Sequence, residues 1–373
     1  MNVLESNPSL PPSDSAEYVL TELRTALAAH FARLQSESIE DICISNIVRR
    51  AYSTVLFLIF KTDKRTRKLV AKRIVHHPEN KAVEEGQNQA VVEFNILQQL
   101  YPKFAGVQGC SVCRPVVLLP ALETVVLEFV EGSLLADELG RARHLSSRLG
   151  FAHLRVLFRQ CGRWLSHFQE FTKAPPSGPE IVDGILQRCD FRLGLIEAAH
   201  DPRCPSRLRS QVMRRLHQQR RSLEGEQILA AGRHGDFGPW NILCGQDGIT
   251  VLDFFSYQEE PLPVDPLQML MALEREKACL TMNSRRIEAL KECFVQGYGD
   301  LPCVQESLLY LCESLQRICT IQGCVTPRGG WLHKRLERNR CIRSNVDWLT
   351  ADRPLPSLWP RAQRRSVAAN PGL

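Results

Sequence analysis

The segment His234–Asp253, HGDFGPWNILCGQDGITVLD, contains the most informative pattern in the chain. It begins with His-Gly-Asp, has an Asn five residues after Asp236, and ends with a second Asp that closes an apolar run. The strand-like stretches NILC and ITVLD are separated by Gly245-Gln246-Asp247-Gly248, a turn sequence. The pattern predicts a loop followed by a β-hairpin, with Asp253 at the end of the second strand.

These residue types, in this order, are those required for phosphoryl transfer from a metal–nucleotide complex. One carboxylate orients or deprotonates an acceptor hydroxyl, while an amide oxygen and a second carboxylate hold magnesium. Magnesium prefers hard oxygen ligands and keeps several waters, so one Asn and one Asp are enough protein ligands. The alternative is a surface turn and hairpin without chemistry. The combination of spacing, turn and strands favours a site.

The segment resembles the Brenner box of the aminoglycoside phosphotransferase/choline kinase family, whose fold is similar to that of the eukaryotic protein kinases. The resemblance rests on His234–Leu243 and on Val251-Leu252-Asp253, with Gly235 where protein kinases usually have Arg. It implies that Asp236 is the catalytic base and that Asn241 and Asp253 are the magnesium ligands. His234 is expected to organise the loop rather than to move protons.

The order of elements in the first third of the chain is that of a kinase amino-terminal lobe. After a helical pattern over 16–34, the sequence predicts strands at 42–48, 54–61 and 68–75, a helix at 84–100, and strands at 116–119 and 124–129. Beyond Gly132 the predicted segments are helical: 154–171, 181–199, 206–223, 266–299, 303–322 and 328–349.

We therefore expect an α+β, two-lobed protein-kinase-like fold, with a small N-terminal antiparallel sheet plus helix and a larger, mainly helical C-terminal lobe. The expected division is a disordered tail over 1–15, a nucleotide-binding lobe over 16–131, a catalytic and acceptor-binding lobe over 132–350, and an extended tail over 351–373.

A kinase-like site also needs a strand Lys that pairs the α- and β-phosphates, fixed by a helix Glu. Alternation within Val70–Ile74 places Lys72 on one face and Arg73 on the other, and the resemblance favours Lys72. Glu93 shares a helix face with Ile96, Leu97 and Leu100. A carboxylate on an apolar face requires a partner, and Lys72 is the expected one.

Three further predictions concern the nucleotide and the loop. In similar kinases main-chain groups hold adenine where the lobes join, and the resemblance implies the carbonyl of Glu128 and the N–H of Val130 for this role. The segment 48–54 between the first two strands contains no glycine, so Ser53 and Thr54 would contact phosphate in its place. Asp265 either buttresses the catalytic loop or caps a helix.

The bulk composition describes an ordinary water-soluble chain of 373 residues, 44% hydrophobic and 24% charged, with a net charge of +6. The longest apolar run, Val55–Phe60, is far too short to span a bilayer. The polar N-terminus does not resemble a secretory signal, so we expect a cytoplasmic protein. The 14 cysteines are then expected to be reduced thiols. Basic clusters at 203–221 and 328–343 lack a nucleic-acid-binding motif, so no nucleic-acid or membrane partner is expected.

The sequence thus predicts an enzyme that uses ATP and Mg²⁺ to phosphorylate a hydroxyl of a small molecule, such as a sugar, an amino alcohol or an aminoglycoside-like compound. A catalytically silent nucleotide-binding protein of the same fold is the alternative. A protein kinase is disfavoured by the glycine-free loop, by Asp253-Phe254-Phe255 in place of Asp-Phe-Gly, and by the lack of Ala-Pro-Glu.

Two classes of acceptor remain open at this point. Carboxylates on predicted helices, Asp183, Asp190 and Glu197, would suit a cationic acceptor. Arginines in the same region would suit an anionic one; they are Arg188, Arg192, Arg203, Arg207 and Arg209.

Overall fold

The computed structural model describes residues 16–35, 39–50, 53–74, 88–144, 148–279, 283–301, 304–326, 332–351 and 357–359. The chain forms two compact units. The first comprises residues up to Pro102 and Val112–Val130, and the second comprises Lys103–Ser111 and the chain from Glu131. The predicted tail over 1–15 lies outside the described residues.

The first unit contains a five-stranded antiparallel sheet in the order β1-β2-β3-β6-β5. Its strands are β1 Ile39–Arg49, β2 Ser53–Thr62, β3 Thr66–Ile74, β5 Pro115–Leu119 and β6 Thr124–Glu128, and its helices are α1 Ala16–Gln35 and α2, which begins at Gln89 and ends at Phe104 in the second unit.

The core of this unit lies between α1 and the sheet. Leu23, Leu27 and Phe31 recur at helical spacing on one face of α1 and are fully buried. They belong to one cluster with strand residues that include Ile42 and Phe60. The helix therefore covers one face of the sheet and fixes β1 and β2 through apolar burial.

The second unit is mainly helical, with short strands around the His234–Asp253 segment. The helices are α3 Leu135–His144, α4 Arg148–Phe171, α5 Asp183–Ala198, α6 Leu208–Arg221, α7 Val264–Glu276, α8 Ser284–Tyr298, α9 Glu306–Val325 and α10 Leu332–Thr350. The strands are β4 Cys110–Val112, whose last residue belongs to the first unit, β7 Ser133–Leu134, β8 Ala230–Arg233, β9 Ile242–Gly245, β10 Gly248–Val251 and β11 Gln258–Pro261.

Helices α4 and α8 approach each other closely at two glycines. A Cβ on Gly162 would lie 2.0 Å from the carbonyl oxygen of Phe294, and a Cβ on Gly297 would lie 1.9 Å from that of Arg159. Only glycine permits this backbone contact. On α4, Trp164 stacks on Phe237 with ring centroids 5.4 Å apart, so the packed pair supports the segment that contains Asp236.

The predicted α+β class is confirmed, with an antiparallel N-terminal sheet and a mainly helical remainder. One predicted helix is wrong: 266–299 is two helices, α7 and α8. Asn283 is the N-cap of α8, and its side chain accepts a hydrogen bond from the backbone N–H of Arg285. An Asn followed by Ser is a helix-start signal. The prediction overlooked this signal because it followed the apolar periodicity through 266–299.

Part of the predicted C-terminal tail is anchored to the second unit. Trp359 is buried, and the Ser357 hydroxyl donates to Oε2 of Glu313 at 2.7 Å. The rest of that tail, 352–356 and 360–373, lies outside the described residues. No described helix combines the length and the apolar character needed to cross a bilayer.

Candidate active site

The His234–Asp253 segment starts with a tight backbone turn that continues from β8. Gly235 has φ = 88°, a left-handed conformation that a side chain rarely adopts. A Cβ at this position would also lie 2.7 Å from Cβ of Ser256. A 3₁₀ turn, Pro239–Asn241, then leads into the hairpin of β9 and β10, which pair antiparallel as predicted. The turn brings Asp236 and Asn241 together.

His234 is a fully buried residue that organises this loop. Its Nε2–H donates to the carbonyl oxygen of Leu252 at 2.8 Å, and its Nδ1 accepts from the backbone N–H of Asp236 at 3.3 Å. Its ring lies 4.6 Å from that of Phe254. Because both nitrogens bond to backbone groups, the imidazole links the start of the segment to its end.

Leu252 fixes the position of Asp253. Its carbonyl oxygen accepts from His234, and its N–H donates to the carbonyl oxygen of Asn241 at 2.9 Å. Asp253 itself has φ = 75°, in the left-handed region that non-glycine residues rarely occupy. Such strained backbone positions cluster at functional sites, where the surrounding contacts hold them.

Asp236 is half-buried, and its two carboxylate oxygens are bonded unequally. Oδ2 accepts from Nε1 of Trp240 at 2.9 Å and from Nδ2 of Asn241 at 2.8 Å. Oδ1 accepts from Nε2 of Gln268 at the longer distance of 3.3 Å. The carboxylate is therefore oriented through Oδ2, which leaves Oδ1 with the weaker bond.

The pKa of Asp236 is raised to about 6, chiefly because the carboxyl is buried and also because the Asp253 carboxylate is nearby. The hydrogen bonds from Trp240 and Asn241 and the charge of Arg233 oppose this rise. The hydrogen bonds of Leu252 to His234 and Asn241, together with that of Asn241 to Asp236, bring Asp236, Asn241, Asp253 and His234 into one cluster.

Asp265 stabilises the start of the His234–Asp253 loop through backbone hydrogen bonds. Its Oδ2 accepts from the backbone N–H of His234 at 2.6 Å, and its Oδ1 accepts from that of Gly235 at 3.2 Å. The N-cap of α7 is Pro263, without a side-chain cap bond. Of the two alternatives for Asp265, the geometry favours the buttress over the helix cap.

A cavity of about 260 Å³ opens beside Asp236 within the second unit. Its lining includes Trp240, Gln268 and four arginines, Arg188, Arg192, Arg233 and Arg275. The cavity thus adjoins Asp236, the carboxylate that is predicted to be the base.

The first unit contains the predicted Lys–Glu pair. Nζ of Lys72 lies 2.6 Å from Oε2 of Glu93, and both side chains are buried. The pair lies beside Cys113, whose pKa is raised to about 12 by burial and by the Glu93 charge, against the effect of Lys72. Lys72, rather than Arg73, is the partner of Glu93. The pairing predicted from helix and strand periodicity is present.

The remaining predicted nucleotide residues lie along the same sheet. Ser53 and Thr54 begin β2 opposite Ile74 and Arg73, next to Lys72 in the ladder. The preceding residues 51–52 lie outside the described part of the chain. Glu128 ends β6, where its Oε1 accepts from Arg114 at 3.1 Å, and Val130 is the last residue of the first unit. Their contacts with adenine stay a prediction.

The partners of Asp236 other than Asn241 were not predicted from the sequence. One of them, Trp240, lies within the motif, and its indole N–H was an available signal. Gln268 and Arg233 come from α7 and β8, and no local pattern marks them. Such residues are found only when the fold brings distant segments together.

Solved structures with similar folds are kinases of small molecules. A glucosamine kinase is 14% identical with a TM-score of 0.52, covering 88% of this chain and 99% of that one. An amicoumacin kinase in complex with AMP-PNP, Ca²⁺ and Ami is also 14% identical, with a TM-score of 0.52 and coverage of 90% and 95%. A thermostable mutant of aminoglycoside phosphotransferase APH(4)-Ia, a ternary complex with AMP-PNP and hygromycin B, is 11% identical, with a TM-score of 0.51 and coverage of 87% and 98%.

These similarities show that the fold is protein-kinase-like, as the sequence predicted. No curated protein matches the sequence. The family comparison is more specific, because the model of the phosphotransferase enzyme family matches residues 58–265. That range contains Lys72, Glu93, Asp236, Asn241 and Asp253. Since the match spans more than half of the chain and the whole cluster around Asp236, the protein belongs to the phosphotransferase enzyme family.

Proposed function

We propose that the protein is an ATP-dependent phosphotransferase that moves the γ-phosphate to a hydroxyl group of a small molecule. The observation that carries the proposal is the bonding of Asp236. Two donors hold its Oδ2, while Oδ1 has one long hydrogen bond, and the cavity lies beside the residue. A carboxylate held in this way can accept a proton from an alcohol positioned in the cavity.

Asn241 and Asp253 fit a magnesium site. The Asn241 amide nitrogen donates to both the carbonyl and the carboxylate of Asp236, which directs the amide oxygen to another partner. Asp253 supplies a second hard oxygen donor, and two protein ligands suffice for a cation that keeps waters and binds phosphates. Magnesium at these residues would neutralise charge on the transferred phosphate.

Lys72 and Glu93 fit the role of a phosphate-binding pair. The Glu93 carboxylate fixes the Lys72 ammonium at 2.6 Å, and so positions one cation for the α- and β-phosphates. Glu128 and Val130 would offer backbone groups to adenine, and Ser53 and Thr54 would approach phosphate. These four assignments are carried over from the sequence prediction.

Names of similar structures support the acceptor class. The names glucosamine kinase and amicoumacin kinase, and the hygromycin B in the third structure, all refer to small molecules rather than to proteins. The family match supports transfer of phosphate by a chain of this type. We infer a hydroxyl acceptor because Oδ1 of Asp236, which has one long hydrogen bond and lies beside the cavity, could accept the proton of an alcohol.

The experiment is magnesium-dependent ADP formation with a panel of sugars, amino alcohols and aminoglycosides. We expect Asp236→Asn to lower transfer by about 10²–10⁴-fold while magnesium–AMP-PNP binding persists, because Asn keeps an oxygen for Trp240 and Asn241. Asp247→Asn, the same substitution in the exposed turn of the hairpin, is the matched control and should leave transfer unchanged. Nucleotide binding without any transfer would instead identify a silent member of the fold.

A further inference from the structure

The cavity beside Asp236 is rich in basic side chains. Arg188 and Arg192 come from α5, Arg233 from the end of β8 and Arg275 from α7. Among the described residues that line the cavity, Asp236 is the one acid. Guanidinium groups match carboxylate and phosphate oxygens, whereas a cationic acceptor calls for carboxylates or aromatic faces.

Two of these arginines share a single carboxylate. Oε1 of Glu260 accepts from Nη1 of Arg233 at 2.6 Å and also from Nη1 of Arg188. Burial would raise the pKa of Glu260, but the charges of Arg233 and Arg188 outweigh it and lower the pKa. Nε of both arginines and Nη2 of Arg188 are buried without a hydrogen-bond partner in the described part of the chain. The group keeps an excess positive charge and unsatisfied donors.

The other two arginines are not neutralised by a described carboxylate. Arg192 donates to the side-chain oxygen of Gln322, an uncharged group. Arg275 is exposed, and no described acid lies within ion-pair distance of it. Since Arg188 and Arg192 are four residues apart, they lie on the same face of α5.

The acids that would suit a cationic acceptor lie elsewhere. Asp190 and Glu197 pair with Arg209, and Asp183 pairs with Arg220. None of these three acids lines the cavity. The structure therefore separates the two acceptor alternatives that the sequence left open.

We propose that the acceptor is an anionic hydroxyl compound, with a phosphate monoester or a carboxylate held by Arg192 and Arg275. The inference rests on the proposed phosphotransferase function. In the reaction, the acceptor oxygen bonds to the γ-phosphorus, the bond from that phosphorus to the β,γ-bridging oxygen breaks, ADP leaves, and the hydroxyl proton passes to Asp236. A cavity of about 260 Å³ suits a compact metabolite rather than a multi-ring antibiotic.

The test measures binding by calorimetry, with the nucleotide site saturated by magnesium–AMP-PNP so that anions cannot bind there. The probes are glycerol 3-phosphate and gluconate for the two anion classes, glycerol as the neutral control and glucosamine as the cationic control. We expect one or both anions to bind at least tenfold more tightly than glycerol and glucosamine. Which anion binds distinguishes a phosphate from a carboxylate recognition group.

The variants Arg192→Gln and Arg275→Gln should each weaken anion binding about tenfold or more, because each removes a charged hydrogen bond. Arg192→Lys keeps the charge and should lose less. Arg214→Gln is the control, since it removes one exposed arginine of α6 that does not line the cavity. Unfolding curves of all variants establish that they remain folded.

Tighter binding of glucosamine, binding of neither anion, or anion binding unaffected by Arg192→Gln and Arg275→Gln would overturn the inference. Failure of the proposed function gives a different result: with ATP, magnesium and an anion that binds, the wild-type protein would form neither ADP nor a phosphate ester, whether or not it binds magnesium–AMP-PNP.

Discussion

At the scale of single residues, the backbone of Leu252 links the two ends of the site. His234 and Asn241 bond its carbonyl and its N–H, so the residue that follows, Asp253, is held at a strained φ next to Asn241. The carboxylate of Asp265 likewise fixes His234 and Gly235, because it accepts hydrogen bonds from both backbone N–H groups. Hydrogen bonds between backbone groups and buried polar side chains thus hold the start of the loop and the backbone that precedes Asp253.

The buried Asp265 predicts a pH dependence of stability. Burial raises its pKa to about 6, although the charge of Arg233 and the two backbone N–H groups lower it and Glu260 raises it. In the unfolded chain this carboxyl has the ordinary Asp pKa of about 3.8, so between these two values the folded protein keeps a proton that the unfolded chain has lost. Below pH 4 the carboxyl is protonated in both states and does not lower the unfolding free energy. As the pH rises from about 4 through about 6, the unfolding free energy falls by about 3 kcal/mol.

The measurement is urea unfolding of the second unit between pH 4 and 7. Asp265→Asn lacks the titrating group, so the unfolding free energy of wild type should fall relative to this variant as the pH rises. Asp247→Asn, in an exposed turn, serves as the control and should follow wild type. A difference between wild type and Asp265→Asn that stays constant with pH would contradict the assignment.

At the scale of elements, β3 and α2 are joined by the buried Lys72–Glu93 pair. Removing one partner leaves an uncompensated buried charge, so we expect Lys72→Met or Glu93→Leu alone to cost about 3–5 kcal/mol of unfolding free energy. The double variant should recover most of that loss, because neither charge remains. Urea unfolding of the four proteins gives the coupling energy.

The same four proteins separate stability from function. If Lys72 binds phosphate, the double variant should be stable yet bind magnesium–AMP-PNP much more weakly than wild type. A stable double variant that binds the nucleotide like wild type would show that the pair is structural only.

Helices α4 and α8 provide a second test at this scale. Gly297→Ala would place a Cβ against the carbonyl of Arg159, so the helices must separate, at a cost of about 1–3 kcal/mol or more. Gly323→Ala is the matched control, because a Cβ at this exposed position in α9 meets nothing within 4 Å. It should stabilise by up to about 1 kcal/mol. Equal effects of the two substitutions on urea unfolding would exclude the close helix contact.

Across the whole molecule, a structural feature could be predicted from the sequence when the residues that encode it lie close together in the chain. The His234–Asp253 segment is contiguous, so spacing alone identified its loop, hairpin and polar residues. Lys72 and Glu93 are 21 residues apart, and two periodicities were enough to pair them. The sheet and most helices also followed from periodicity.

The cavity could not be predicted from such patterns. Arg188, Arg233 and Arg275 come from three separate elements, and no sequence pattern distinguishes them from surface arginines such as Arg209. The break between α7 and α8 was missed because the helical apolar pattern was followed across it, whereas the cap at Asn283 fixes where α8 begins. The cavity therefore depends on long-range packing and the start of α8 on a cap, and neither is visible in the apolar periodicity.

The fate of the γ-phosphate can be followed by ³¹P NMR. In spectra of wild-type protein with ATP, magnesium and a mixture of small hydroxyl compounds, we expect a new phosphate-ester signal that forms together with ADP and is absent without magnesium. The same spectrum from Asp236→Asn should show almost none of this ester. If the γ-phosphate appears only as inorganic phosphate or on protein, or if Asp236→Asn forms the ester at the wild-type rate, the assignment of a small-molecule phosphotransferase with Asp236 as its base is contradicted.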